Sequence, residues 1–120
     1  MIYEFGLYKL DADRLELWCD DEPVAVEPQV FSLLLCLIEN RERVVSKDQL
    51  IEQVWNSRIV SDATMSSRIN AARHAVGDDG KAQTVIRTIP RRGFRFVAEV
   101  SENAAAHGTA SELTRTGAAP

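Results

Sequence analysis

The chain is short of the residues that small scaffolds and catalytic sites depend on. Its 120 residues include two cysteines, Cys19 and Cys36, and two histidines, His74 and His107. Two cysteines without a spacing pattern give neither a disulfide framework nor a zinc site. Cys36 lies in an apolar run and is expected to be a small core residue. No second histidine or cysteine stands at ligand spacing from His74, which argues against a metal centre. There is no glycine-rich phosphate loop and no nucleophile paired with a base, so an enzyme is not expected. The acidic run Asp20-Asp21-Glu22 leads into Pro23, as a solvated strand turn does. No apolar run approaches the ~20 residues that a membrane span needs. The start, Met1-Ile2-Tyr3-Glu4-Phe5, lacks the basic region and apolar stretch of a secretory signal. One cytoplasmic domain is expected, with no cofactor and no membrane contact.

A net positive charge is also lacking, since the formal sum is −4. The distribution matters more than the sum. Residues 1–57 carry 5 basic and 12 acidic side chains, or −7. Residues 58–100 carry 8 and 4, or +4, and residues 101–120 add −1. The basic part is the part that reads as a helix followed by a hairpin.

Four short alternating runs come first: Tyr3-Glu4-Phe5, Leu7 to Leu10, Arg14 to Trp18 with Leu15 and Leu17 on one face, and Val24 to Val26. Turn residues separate them, which predicts a small antiparallel meander. Pro28 suits the first turn of a helix running to about Asn40. Its apolar residues cover well over half of its circumference, so it should be buried on several sides. After the extended link Val44-Val45, Ser46 caps a second helix, with Gln49 at the capping-box spacing. Ser61 caps a third, Asp62 suits its positive end, and Gly77 fits its C-terminal cap. A hairpin is predicted over about 84–98. From Ser101 the composition turns to Ala, Gly, Thr, Ser and Glu with no apolar period. Residues 101–120 are therefore expected to be a disordered tail or a linker to a further region.

The third helix, about 61–76, is the most informative surface. At 100° per residue Met65, Ile69, Ala72 and Val76 share a narrow arc and form its core stripe. The opposite face carries Ala63, Ser67, Asn70 and His74, flanked by Ser66, Arg73, Ala71 and Arg68. That face holds small residues, hydrogen-bonding groups and cations, and no carboxylate. A face that enters the major groove of DNA needs small residues for close approach and excludes acids from the phosphates. Asn70 suits a bidentate contact to adenine, and Arg68 and Arg73 reach a guanine edge or a phosphate. Thr64, Ser66 and Ser67 suit either, and His74 suits a phosphate when protonated. The following hairpin adds Arg87, Thr88 and the adjacent pair Arg91 and Arg92 at its turn. A helix followed by a basic-tipped hairpin points to double-stranded DNA. The alternative is a winged helix used only for protein contacts, which would be expected to lose the basic wing.

Residues 1–100 resemble the OmpR/PhoB-type winged-helix domain. The segments that carry the likeness are Pro28-Gln29-Val30-Phe31-Ser32-Leu33-Leu34, Arg43 to Leu50 with Val54-Trp55, Val60-Ser61-Asp62 to Val76-Gly77-Asp78, and Ile86-Arg87-Thr88-Ile89-Pro90-Arg91-Arg92-Gly93-Phe94-Arg95-Phe96. The Pro-Arg-Arg-Gly turn is most similar to the CadC/ToxR-like group, which carries this domain N-terminally. The resemblance implies an α+β fold: a winged helix-turn-helix with an N-terminal antiparallel β-meander, three helices and a C-terminal β-hairpin wing. It implies a bacterial-type transcriptional regulator that binds specific DNA sequences as a dimer or in tandem copies. The third helix would lie in the major groove and the wing at the minor groove. Contact positions would fall on Asn70, Ala71 and Arg73, on Arg68 toward the backbone, and on Thr88 and the wing turn. The connector 55–60 would touch RNA polymerase. Ala71 replaces a frequent arginine, which reduces that position to an apolar contact. Pro90 stands where relatives often place a minor-groove arginine, a role left to Arg91 or Arg92.

Overall fold

The computed structural model describes residues 1–56 and 58–103. Four short antiparallel strands come first: β1 (Ile2–Phe5), β2 (Tyr8–Asp11), β3 (Glu16–Cys19) and β4 (Glu22–Val24). Asp11 shapes the turn between β2 and β3, its Oδ1 accepting the backbone N–H of Asp13 and of Arg14, each at 3.0 Å. Asx turns of this kind offer the backbone an alternative to ladder pairing. The turn extends through Leu15, which has φ +56° and is 66% exposed. Leu15 therefore does not share a buried face with Leu17, as their alternation suggested. Leu17 alone is buried, directly opposite Leu10 of β2.

The sheet has a fifth strand that composition did not reveal. Ser101–Asn103 form β7, antiparallel to β1, giving the order β4-β3-β2-β1-β7. The fold thus continues past residue 100, where the change in composition placed its end. Arg41 secures this strand, with Nη2 2.5 Å from Glu102 Oε2 and its guanidinium 5.8 Å from the centroid of the Tyr3 ring. The rest of the expected tail, 104–120 with His107, lies outside the described residues.

Tyr3, Phe5, Leu10 and Leu17 of the sheet share one core with α1 (Pro28–Glu39). This helix buries Val30, Phe31, Leu33, Leu34, Cys36, Leu37 and Ile38, and packs on α2 (Lys47–Val54), α3 (Asp62–Ala75) and β6 (Gly93–Phe96). Burial on several sides follows from its wide apolar arc. The caps fall where the sequence places them. Ser46 Oγ accepts the Gln49 N–H at 3.1 Å, and Ser61 Oγ accepts the Thr64 N–H at 3.1 Å. A cap of this kind stabilises a helix by about 1 kcal/mol. The first is only half a capping box, because Gln49 Oε1 accepts from Arg43 Nη1 at 3.1 Å. At the end of α3, Gly77 takes φ +73°, its N–H donates to His74 O at 3.2 Å, and the Asp78 N–H donates to Arg73 O at 2.8 Å. That pair of bonds is a Schellman cap.

The wing is a hairpin of β5 (Ile86–Ile89) and β6 (Gly93–Phe96). A lone two-stranded hairpin is marginal in water, so its attachments decide whether it holds a position. On the β6 side Val45 N–H donates to Phe94 O at 2.7 Å, and Phe94 N–H donates to Val45 O at 2.9 Å. Gly93 permits that approach: it has φ +146°, and a Cβ there would lie 2.0 Å from Val45 O. Phe96 meets Phe5 edge-to-face with centroids 5.1 Å apart. Among the described residues no helix is long and apolar enough to cross a membrane.

Candidate nucleic-acid interface

On α3, Met65, Ile69 and Ala72 are buried, as is Val76 just beyond it, and the stripe faces the core as its spacing required. Ser66, Ser67, Asn70, Ala71 and His74 are exposed, and Thr64 and Arg68 are half-buried. An open cleft of about 660 Å³ lies between α3, the start of α2 and the wing. It brings Ser66, Asn70 and Arg73 of the helix together with Thr88, Arg91 and Arg92 of the wing. It also takes in Ser46, Lys47 and Asp48, which were not anticipated. Their signal was present in the sequence: a capping serine followed by a lysine opens the helix before α3, and such an end favours phosphate oxygens. Asp48 puts one carboxylate into an otherwise neutral or basic surface, while Lys47 Nζ lies 3.7 Å from Asp62 Oδ1.

The other expected contact residues lie apart from the cleft. Ala71 and His74 border a smaller hollow with Ala25, Val26 and Glu27. Arg68 turns toward α1, where its Nε donates to Gln29 Oε1 at 2.8 Å. Thr64 stands at the helix start, with Oγ1 3.0 Å from the capping Ser61 Oγ. Arg87 is exposed on β5 directly opposite Arg95 of β6. Two cations at paired positions repel each other, so an anion beside them would relieve a built-in cost.

Arg73 corrects the expectation drawn from the helix face. It does not stand on the open surface, being only 5% exposed. Its Nε donates to Ile86 O at 3.1 Å and its Nη2 to Thr88 Oγ1 at 2.6 Å. The wing lies across this flank of the helix and covers the side chain. Burial lowers the guanidinium pKa, and the Asp78 and Asp79 carboxylates oppose that effect.

Asp78 directly follows the Gly77 cap. It is 5% exposed and accepts five hydrogen bonds. Oδ1 takes Asp79 N–H at 2.8 Å, Thr84 N–H at 2.9 Å and Thr84 Oγ1 at 3.1 Å. Oδ2 takes Val85 N–H at 2.9 Å and Ile86 N–H at 3.0 Å. Burial raises its pKa, but the backbone donors of Ile86, Val85, Thr84 and Asp79 together outweigh it and bring the carboxyl to about 2. The charged form accepts all these donors at once, which explains the direction.

The wing tip is a tight turn closed by Arg92 N–H to Ile89 O at 3.0 Å. Pro90 takes the second position and Arg91 the third, with φ +66°. Arg91 and Arg92 are both exposed there.

The family model described as "Transcriptional regulatory protein, C terminal" matches residues 21–96. The chain belongs to that family. It is an OmpR/PhoB-type DNA-binding domain, a class that serves transcription regulation and is not an enzyme class. It is similar to the phosphate regulon transcriptional regulatory protein PhoB of Escherichia coli, at 31% identity over 96 residues, 79% of this chain and 42% of that protein. It is similar to the transcriptional activator CadC of the same species, at 30% identity over 78 residues, 64% of this chain and 15% of that protein. The chain thus spans less than half the length of either relative. Among solved structures, the response regulator DrrB of Thermotoga maritima, an OmpR/PhoB homologue, superposes with TM-score 0.71 at 30% identity over 79% of this chain and 43% of that one. The RstA DNA-binding domain of Klebsiella pneumoniae, solved in complex with the RstA box, shares the fold with TM-score 0.69 at 19% identity over 79% of this chain and 95% of that one. The winged-helix architecture expected from the sequence is the one observed.

Proposed function

We propose that this OmpR/PhoB-type domain binds specific sequences of double-stranded DNA, with α3 in the major groove and the wing at the adjacent minor groove. The supporting observation is convergence: the exposed polar face of α3 and the paired arginines of the wing tip border one cleft. Asn70 and Ser66 stand where base edges would pass, and Ser67 and Ala71 continue the same exposed face. Asn70 contributes the direct reading, as a bidentate partner for adenine. Arg91, Arg92 and Lys47 supply charge toward the phosphates, and Arg87 adds to it from the outer side of the wing. Arg73 leaves the contact set, because its donors are turned to the wing backbone and Thr88. Tandem or paired copies on repeated half-sites extend the reading from the domain to the regulator. A contact between the connector and RNA polymerase also belongs to it, and within the connector Ile59 is fully exposed.

Selection from a random duplex pool, followed by titration of the selected duplex at several salt concentrations, tests the reading. A defined motif should emerge, and log K should fall with log[salt] at a slope of about −0.9 per phosphate contact. A flat titration with no enriched motif would favour the domain as a protein-contact module instead.

A further inference from the structure

We propose that Arg73 and Asp78 are positioning residues that fasten the wing to α3, so that the two DNA-facing elements move as one rigid body. The inference rests on the functional reading above. Among the described residues Arg73 is the only α3 side chain with a hydrogen bond to the wing, and it makes two, to Ile86 O and Thr88 Oγ1. Asp78 completes the tie from the other end. Its N–H bonds to Arg73 O at 2.8 Å, and its carboxylate holds the N–H groups of Thr84, Val85 and Ile86, the approach to β5 and its first residue. The Ile86 backbone is thus held at both of its polar groups, its N–H by Asp78 and its C=O by Arg73. The Val45–Phe94 bridge fixes β6 to the link before α2, but reaches no residue of α3. Without the Arg73–Asp78 tie, β5 would keep the packing of Ile86 in the core but no side-chain hydrogen bond from α3, and a two-stranded hairpin has little stability of its own to hold its position.

A guanidinium suits this work because its planar fork directs two N–H bonds at fixed angles, whereas an ammonium is a point charge on a flexible stem. Arg73→Lys should therefore fail to replace it, although the charge is kept. A direct phosphate contact would tolerate that change far better.

The experiment is a double-mutant cycle on the full 120-residue chain, read by fluorescence anisotropy on the selected duplex. Arg92→Ala probes the wing contact, and Arg73→Met, Arg73→Lys and Asp78→Asn each release the tie. In the unaltered chain Arg92→Ala should weaken binding about fivefold or more and reduce the salt slope by about one contact. In each released background the same change should cost less than about twofold, since an unfastened wing no longer holds Arg92 at the groove. Asp78 does not border the cleft, so its effect on the wing cannot arise from lost DNA contact. It also keeps the test open should Arg73→Met fail to fold. Amide exchange at Val85, Ile86 and Thr88 should accelerate in the folded variants while α3 stays protected. Additive cycles, or recovery of full affinity by Arg73→Lys, would overturn the positioning role and leave the DNA reading intact. An unaltered chain indifferent to both salt and Arg92→Ala would instead overturn the DNA reading, and the positioning role with it.

Discussion

Replacing Asp78 by asparagine should destabilise the domain at neutral pH and leave almost no difference in strong acid. Asparagine keeps the shape but offers one acceptor oxygen in place of two, and turns an NH₂ group toward backbone N–H donors. The carboxylate accepts five bonds, one from the buried Ile86 N–H, and its pKa stands at about 2 against an ordinary 3.8. That displacement corresponds to about 2 kcal/mol of stability when the group is charged in both states. An orphaned buried donor adds about 1 kcal/mol or more. A loss of about 2–3 kcal/mol is therefore expected at pH 7, or roughly 10–20 °C in Tm for a domain of this size. The folded-state pKa is depressed, so the contribution is complete above the unfolded value of 3.8 and disappears as pH falls toward about 2. Urea unfolding followed by circular dichroism at pH 7, 5, 4, 3 and 2.5 measures it. The gap between the parent and Asp78→Asn should hold from pH 7 to 5 and then narrow below pH 4. A gap of constant size across that range, or a variant as stable as the parent at pH 7, would refute the assignment of the carboxylate as the hub of this loop.

Two further outcomes follow from the cleft. Asn70→Ala should relax preference at a single base pair, costing about 1–3 kcal/mol of discrimination while leaving affinity for random duplex nearly unchanged; competition with point-substituted duplexes measures it. Arg91→Gly should move stability and binding in opposite directions, raising the free energy of unfolding in urea by up to about 1 kcal/mol while weakening DNA binding and lowering the salt slope.

The helices were legible because their signals are local. Pro28, Ser46, Ser61 and Gly77 announce helix ends through bonds that span three or four residues, and Met65, Ile69, Ala72 and Val76 announce a buried stripe by spacing alone. The misjudged residues are those settled by partners far along the chain. Ser101–Asn103 contains nothing apolar, and becomes a strand because β1 offers an open edge and Arg41 meets Glu102. Leu15 alternates with Leu17, but the Asp11 side chain claims the backbone just before it, at Asp13 and Arg14, for a turn. Arg73 shows the limit most clearly. At 100° per residue it lies only about 70° from the centre of the core stripe, on the border between faces. A long cation on such a border snorkels outward when nothing covers it. Here β5 covers it, and no pattern within α3 could reveal that. Asn70, by the same angle, lies well beyond that border on the open face.

The wing shows how stability is divided between holding a position and presenting charge. Its base is fixed on both strands: Val45 pairs with Phe94 on one, and Asp78 and Arg73 grip Ile86 on the other. Its tip is built less economically. The turn Ile89-Pro90-Arg91-Arg92 requires a positive φ at its third position, where glycine or asparagine carries little strain and arginine carries about 1 kcal/mol or more. The left-handed backbone at Arg91 sets it beside Arg92 on the border of the cleft. Strain of that kind persists only where surrounding structure imposes it, and the firm base supplies the imposition. Loosening the base should therefore relax the tip as well. In Arg73→Met and Asp78→Asn the backbone at Arg91 should leave the left-handed region for part of the time, and a ³J coupling or chemical-shift measurement at that residue would register it. A tip that kept its φ after release of the base would show that the turn sequence alone sets the geometry, and that the two halves of the wing are mechanically independent.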